Sequence, residues 1–229
     1  AFIANGSSAW RLPNIDELPE IRPHYVSKEQ KYKYSPYIRD PESLVRYWAI
    51  PGQEGYQHIL GGLEKDGETG AISTEPENHD RMDHLRYDKV QRIPVPNLQV
   101  EGDADDAELL IVGFGSTYGH LYSAMEELRQ HGHKVALAQF QYINPLPANT
   151  PDVLLRYKKV IVAEQNLGQL AALLRIRINN FAPYQYNQVK GQPFVVSELV
   201  EGFEKVIRTK DAPNYGNTYV SSILNTHNS

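Results

Sequence analysis

"LLIVGFGSTYGHLYSAMEELRQHGHKVALAQFQYINPLP", residues 109–147, decides the fold. It passes from an apolar stretch through a glycine turn, Gly113-Phe114-Gly115-Ser116-Thr117-Tyr118-Gly119, into a helical pattern and back to an apolar stretch. A dinucleotide fingerprint at such a strand-to-helix turn needs G-x-G-x-x-G spacing and a carboxylate about 20 residues on, at the end of the second strand, to hold a ribose. Here the spacing is one residue too long, and the second apolar stretch ends in Gln139, Phe140 and Gln141. The glycines therefore read as the corner of a fold, because a strand feeding a helix needs a tight turn wherever it occurs.

Beyond this stretch the pattern alternates: strand 107–113, helix 117–131 closed by Gly132, strand 134–140, short helix 150–157, strand 158–164, helix 167–180 and a weaker strand near 185–190. A last short strand and a helix lie in "PFVVSELVEGFEKVI". Strands and helices joined by short connections predict an α/β domain over 107–210, a mostly parallel sheet with helices on both faces. The polar residues 211–229 read as a tail. Upstream, "IPVPNLQVEGDADDAE" (93–108) reads as an interdomain linker, with two prolines followed by an acidic cluster. A helix is expected before it, with Thr74 as N-cap, Glu77 closing a capping box, Pro76 in the first turn, and Met82, Leu85 and Val90 on one apolar side. Glu77 with Arg81 and Asp88 with Arg92 are spaced as i,i+4 pairs. Residues 51–72 form a glycine-rich loop of a length that is more often functional than not. Residues 11–56 mix prolines and tyrosines in a way that suits neither helix interior nor central strand, and read as an extended arm laid on another surface. Residues 11–106 are thus arm, loop, helix and linker. The opening "AFIANGSSAW" reads as the last strand (1–10) of a preceding domain, so the chain is expected to be a C-terminal piece.

The 229 residues carry 23 basic and 28 acidic side chains, a net charge of −5 without a basic cluster, which gives no pull toward nucleic acid or anionic membranes. No apolar run approaches a membrane span and the N-terminus lacks a signal-peptide layout, so a cytoplasmic protein is expected. With no cysteine, thiolate chemistry and cysteine-ligated clusters are excluded for this chain.

Several polar residues are candidates for substrate or interface contact. Glu164-Gln165-Asn166, with Gln169 and Arg175, sits where an apolar strand ends and a helix begins, the edge at which open parallel sheets place ligands. Two readings stand there: Glu164 paired with Arg175 across an interface, or Asn166 capping the helix with Glu164 solvated. His58 and Glu64 in the glycine-rich loop suit substrate or coenzyme A proximity. Arg81 and Arg86 can receive an acidic group bidentately, or simply pair with Glu77, Asp83 or Asp88 on the surface. Tyr118 in the glycine corner is a further candidate. His79, Asp80, Asp83 and His84 form one cluster that invites a metal reading, but positions five apart on a helix diverge by about 140°, so His79 and His84 do not meet on one ion and no metal site is assigned. "INPLP" (143–147) sets a turn after the second strand.

The quoted stretch, followed by "VIVAEQNLGQLAALLR" and "GQPFVVSELVEGFEKVI", resembles the C-terminal, transketolase-type domain of the α subunit of 2-oxoacid:ferredoxin oxidoreductases. "AIPGQEGYQHILGGLEKDGETGAIS" and "ENHDRMDHLRYDKV" resemble the segment that joins this domain to the pyrimidine-binding domain before it, with one departure: Lys65 follows "GLE" where many relatives carry His. The likeness is greatest to the 2-oxoglutarate branch, with pyruvate or branched-chain enzymes and a non-catalytic bridging module as alternatives. It implies oxidative decarboxylation of a 2-oxoacid to an acyl-CoA by thiamine diphosphate, Mg, iron–sulfur clusters and coenzyme A. It also implies a β subunit carrying the diphosphate and a cluster, ferredoxin as acceptor, and an αβ hetero-oligomer. No catalytic, cofactor-binding or metal residue is assigned to this chain, which is expected to be inactive alone and to serve as scaffold and interface.

Overall fold

The computed structural model describes Tyr25, residues 34–59 and residues 61–210. The expected strand remnant at 1–10, most of the first half of the arm and the tail at 211–229 lie outside the described residues. Contacts divide the chain into two units, one formed by residues 13–94 and one containing 95–210.

The larger unit is built on β2 (Leu109–Phe114), β3 (Val135–Phe140), β4 (Val160–Glu164) and β5 (Tyr184–Asn187), with β1 (Glu101–Gly102) at one edge. The spatial order is β1-β3-β2-β4-β5; β2 to β5 run parallel, and β1 is antiparallel to β3. In register, Ile111 lies opposite Leu137 on one side and Ile161 on the other. Alternate residues of β2 serve two cores. Leu109 and Ile111 pack with Leu121, Met125 and Leu128 of α2 (Tyr118–Gln130) and with Leu199 and Phe203 of α5 (Val196–Arg208). Leu110 and Val112 pack with Leu154 of α3 (Thr150–Arg156) and with Leu170 and Leu174 of α4 (Gln169–Arg177). Both faces being covered is why these strands read as continuous apolar runs instead of alternating ones. The expected mostly parallel α/β architecture is therefore the one observed.

The glycine corner is architectural. A Cβ on Gly113 would lie 2.3 Å from Leu121 Cδ1 and 2.4 Å from Gln139 Oε1, so only glycine lets β2 approach α2 and β3 this closely. Gly115 turns the chain at φ 68°, and residues 115–117 form a 3-10 turn in which the Thr117 hydroxyl donates to the Phe114 carbonyl at 3.0 Å. Gly132 closes α2 at φ 90° as expected, and the Asn144–Pro145 peptide within "INPLP" is cis.

Three sequence expectations are corrected. From residue 95 on, the linker expected at 93–108 is part of the larger unit: Leu98 is buried and exchanges hydrogen bonds with the Asn149 side chain at 2.8 and 3.0 Å, and β1 extends the sheet. Its acidic cluster is a clasp, since Asp103 meets Arg129 at 2.9 Å, Asp105 meets Arg156 at 2.9 Å, and Asp106 meets Lys134. The short strand expected before the last helix is absent among the described residues; Phe194 is instead a buried plug, edge-on to Tyr186 with ring centroids 5.7 Å apart. Third, α1 (Pro76–Gln91) in the smaller unit is preceded by Glu75, not Thr74, with no side-chain cap. The residue before proline is pushed out of the helical region, and Glu75 at ψ 125° obeys that rule, so the helix starts at Pro76 and the capping box cannot form.

In the smaller unit, the glycine-rich loop turns tightly at Asp66, whose Oδ1 accepts from the Glu68 and Thr69 amides and the Thr69 hydroxyl. Asn78 of α1 clamps this turn: its Oδ1 accepts from Gly67 N–H at 3.1 Å and its Nδ2 donates to the Lys65 carbonyl at 2.8 Å. Tyr25, Trp48 and Ile50 of the expected arm are exposed. No helix among the described residues is long and apolar enough to cross a membrane. Gly113→Ala should cost about 1–3 kcal/mol, as overpacking in a filled core does; urea unfolding of the 229-residue chain measures it, and an unchanged midpoint would show that the corner has slack.

Candidate functional site

The carboxyl edge of the sheet reverses direction at β2 and β4, since β2 leads to β3 on one side and β4 leads to β5 on the other. Such a switch point is where open α/β sheets form a crevice. Glu164, the last residue of β4, is 4% exposed. Its carboxylate accepts from Leu170 N–H at 2.6 Å and Ala171 N–H at 2.9 Å, and Asn166 Oδ1 accepts from Gly168 N–H at 2.8 Å and Gln169 N–H at 2.9 Å. The Ala172 amide bonds to the Gly168 carbonyl at 2.9 Å. Every amide of the first turn of α4 is thus satisfied, which is the requirement a helix start imposes.

The capping role expected of Asn166 is present, but Glu164 is not solvated: it is buried because the helix that follows β4 returns over it. Gly168, at φ 93°, makes the return possible, and a Cβ there would lie 2.4 Å from Gln185 Oε1. Gln169 is exposed and Arg175 is half-buried on α4. Tyr118 donates its hydroxyl to Glu101 at 2.9 Å, and burial first, then this bond, pushes its pKa up to about 12. Tyr118 is therefore a neutral tie between α2 and β1 at physiological pH.

In the smaller unit, a cavity of about 400 Å³ is lined by Tyr37, Arg39, Arg46, residues 62–65, Met82, Leu85, Arg86 and Lys89. Two of the sequence candidates meet here. Arg86 donates to both oxygens of Glu64, at 3.2 and 3.4 Å, and also reaches Asp83 at 3.3 Å; His79 Nδ1 lies 2.9 Å from Glu64 Oε2. The hydrogen bonds from Arg86 and then His79 hold Glu64 at a pKa of about 2. The surface alternative for Arg86 is thus partly realised through Asp83, and its main partner comes from the loop.

Arg81 lies apart, 3.8 Å from Asp66 and 3.7 Å from Glu68, instead of pairing with Glu77. Arg92 likewise donates to the Pro41 and Glu42 carbonyls instead of the Asp88 carboxylate. His58 is exposed, with its ring against Tyr34, and is not part of the cavity lining. His79 turns to Glu64 and His84 to Asp80. Among the described residues no group of three or more His, Asp and Glu is placed to hold a metal. Sequence reading missed Tyr37, Arg39, Arg46 and Lys89 as cavity residues, because only the packing of the arm on α1 assembles them.

Residues 107–199 match the family model of the pyruvate:ferredoxin oxidoreductase core domain II. Over 197 residues, 86% of this chain, it is 45% identical to the 2-oxoglutarate oxidoreductase subunit KorA of Mycobacterium tuberculosis, covering 30% of that protein. It is 34% identical over 159 residues, 69% of this chain, to the 2-oxoglutarate synthase subunit KorA of Methanocaldococcus jannaschii, covering 40% of it. The structure is similar, at a TM-score of 0.73 and 30% identity over 86% of this chain, to 34% of a chain of the 2-oxoglutarate:ferredoxin oxidoreductase from Magnetococcus marinus, which was solved with 2-oxoglutarate, coenzyme A and succinyl-CoA bound.

The chain belongs to the α-subunit family of the 2-oxoacid:ferredoxin oxidoreductases. It spans 30% and 40% of the lengths of these two curated α-subunit relatives.

Within this member of the family, Glu164 is the polar residue on which the start of α4 rests. Glu164→Gln keeps one acceptor for two amides and should cost about 1–3 kcal/mol, with faster hydrogen exchange at the Leu170 and Ala171 amides; unchanged exchange there would refute the capping role. The second expectation concerns Glu64. Its folded pKa lies below the ordinary glutamate value, so its ion pairing is fully present above that value and is lost as pH falls through about 2. A carboxyl titration by NMR should show a midpoint near there, and a midpoint above 4, where an unpaired glutamate titrates at about 4.3, would show that Arg86 and His79 do not hold it in solution.

Proposed function

We propose that this chain is part of the α subunit of a cytoplasmic, thiamine diphosphate-dependent 2-oxoglutarate:ferredoxin oxidoreductase, which decarboxylates a 2-oxoacid oxidatively and forms its acyl-CoA. The observation that carries the reading is the 45% identity over 197 residues to a 2-oxoglutarate oxidoreductase subunit. The fold likeness to a relative with 2-oxoglutarate and coenzyme A bound supports it. In this reading the partner is a β subunit in an αβ hetero-oligomer, with ferredoxin as electron acceptor.

The donors of the larger unit do not suit the redox and diphosphate cofactors. The chain has no cysteine for an iron–sulfur cluster. Its glycine corner is spent on packing, with Gly113 pressed against Leu121 and residues 115–117 wound into the 3-10 turn. The carboxylate at the switch point, Glu164, is fully engaged by the amides of α4. In this proposal thiamine diphosphate, Mg and the clusters sit in other parts of the assembly, and no reaction step is assigned to residues of this chain. Its role is structural. The sheet with its two helical layers is a rigid block, and exposed Gln169, half-buried Arg175 and the Glu64–Arg86 pair face substrate or a neighbouring subunit, with His58, Arg81, Tyr118 and Asn166 as further contacts.

The test is to produce the full-length subunit with its β partner and follow coenzyme A-dependent reduction of a viologen dye by a panel of 2-oxoacids. The highest kcat/KM is expected with 2-oxoglutarate. A preference for pyruvate or a branched-chain 2-oxoacid would move the protein to another branch of the family, and no turnover with any 2-oxoacid would leave a bridging module as the better reading.

A further inference from the structure

The cavity of the smaller unit has a charge balance opposite to that of the chain. Arg39, Arg46, Lys65, Arg86 and Lys89 line it against one carboxylate, Glu64, in a protein of net charge −5. Several cations outside the cavity meet acids, as Arg129 meets Asp103 and Arg208 meets Glu204. Of the five cavity cations only Arg86 has a carboxylate partner among the described residues.

The others are held in place by groups that carry no negative charge. Arg39 Nη1 donates to the Tyr37 carbonyl at 2.9 Å and the Gly67 carbonyl at 3.1 Å, and Lys65, 4% exposed, donates Nζ to the Leu63 carbonyl at 2.9 Å. The Arg46 guanidinium stands over the Tyr37 ring at 4.8 Å. Burial first, then repulsion from Arg46 and Arg81, lowers the proton affinity of Arg39, so the charges are concentrated at a cost. Planar guanidinium forks fixed by packing, together with a mobile ammonium, are the donor set that recognises oxyanions.

We propose that this cavity is a binding site for a phosphate-class polyanion, with Arg39, Arg46 and Lys89 as its donors and Lys65 and Arg86 as flanking charge. A single carboxylate offers one charge to four cations that meet no carboxylate among the described residues, whereas a diphosphate offers several on one compact ligand. A cavity of about 400 Å³ admits more than a lone small ion. The site stands independently of the oxidoreductase reading, because it rests on the smaller unit alone. Free diphosphate and the phosphates of a larger cofactor share this chemistry.

The experiment is calorimetric titration of the full 229-residue chain, and of the assembled enzyme, with inorganic pyrophosphate at low ionic strength. One-to-one binding tighter than about 1 mM is expected, weakening as salt is raised. Arg46→Gln and Lys89→Gln should each weaken it by about fivefold or more, at charge-pair strength, while Lys158→Gln on the other unit leaves it unchanged. Melting temperatures of the variants confirm that they fold. Competition then distinguishes the sources: displacement by coenzyme A assigns the site to a cofactor phosphate, the diphosphate if the form lacking the 3′-phosphate also displaces and the 3′-phosphate if it does not, and displacement by orthophosphate alone assigns it to a free anion. No binding at about 10 mM pyrophosphate, equal affinity for citrate, or binding indifferent to both cavity substitutions overturns the proposal. Failure of oxoacid turnover with pyrophosphate binding intact would sink only the oxidoreductase reading.

Discussion

Strand β2 is hydrogen-bonded along both edges and buried on both faces, and the larger unit is arranged around that double confinement. Its apolar side chains from Leu109 to Val112, fully removed from water, contribute about 1.5–3 kcal/mol each. The gain exists only if α2 and α5 close one face while α3 and α4 close the other. Closure on the α2 side requires a residue without a side chain at 113, where Leu121 and Gln139 occupy the space a Cβ would need. The glycine that resembles part of a nucleotide fingerprint is therefore a consequence of packing, and the same geometry that seals the core uses up the loop that would have cradled a phosphate.

At the other end of the switch point the sheet buries a charge. Removing a carboxylate from water costs several kcal/mol even after relaxation. Glu164 offsets this with two charge-assisted hydrogen bonds of about 1.5–3 kcal/mol each and with the positive end of α4, worth up to about 2 kcal/mol. These terms nearly cancel, so Glu164 contributes position more than stability: it sets where α4 begins, and with it where Gln169 and Arg175 stand.

What was legible in the sequence follows from what is local. The strands from β2 to β4 and the helices between them were readable because burial on both faces writes unbroken apolar runs and a helix face writes a 3.6-residue period. The edge strand β1 was not, since two residues, Glu101 and Gly102, carry no pattern and their pairing is supplied by β3. Thr74 misled because its capping signature competes with the rule at Pro76, and the proline wins by steric exclusion. Glu164 misled because a charged residue ending a strand looks solvated until the helix that follows folds back over it. The candidates Glu64 and Arg86 were found one by one, but their meeting across 22 residues was not visible. The arginines contributed from the arm were further still from any local signal.

Net charge proved a poor guide for a related reason. The acidic run at 103–106 is the most concentrated acidic stretch of the linker, yet each of its carboxylates is matched by a cation from α2, α3 or the residue before β3, so it closes an edge of the sheet instead of repelling anions. At about one Debye length of 8 Å in physiological salt, such matched pairs project little field. Unmatched charges do project, and around the cavity of the smaller unit those among the described residues are cationic. A chain that is acidic in total thus presents a positive local potential where Arg39, Arg46 and Lys89 converge, and a small anion responds to that potential far more than to the sum over the sequence.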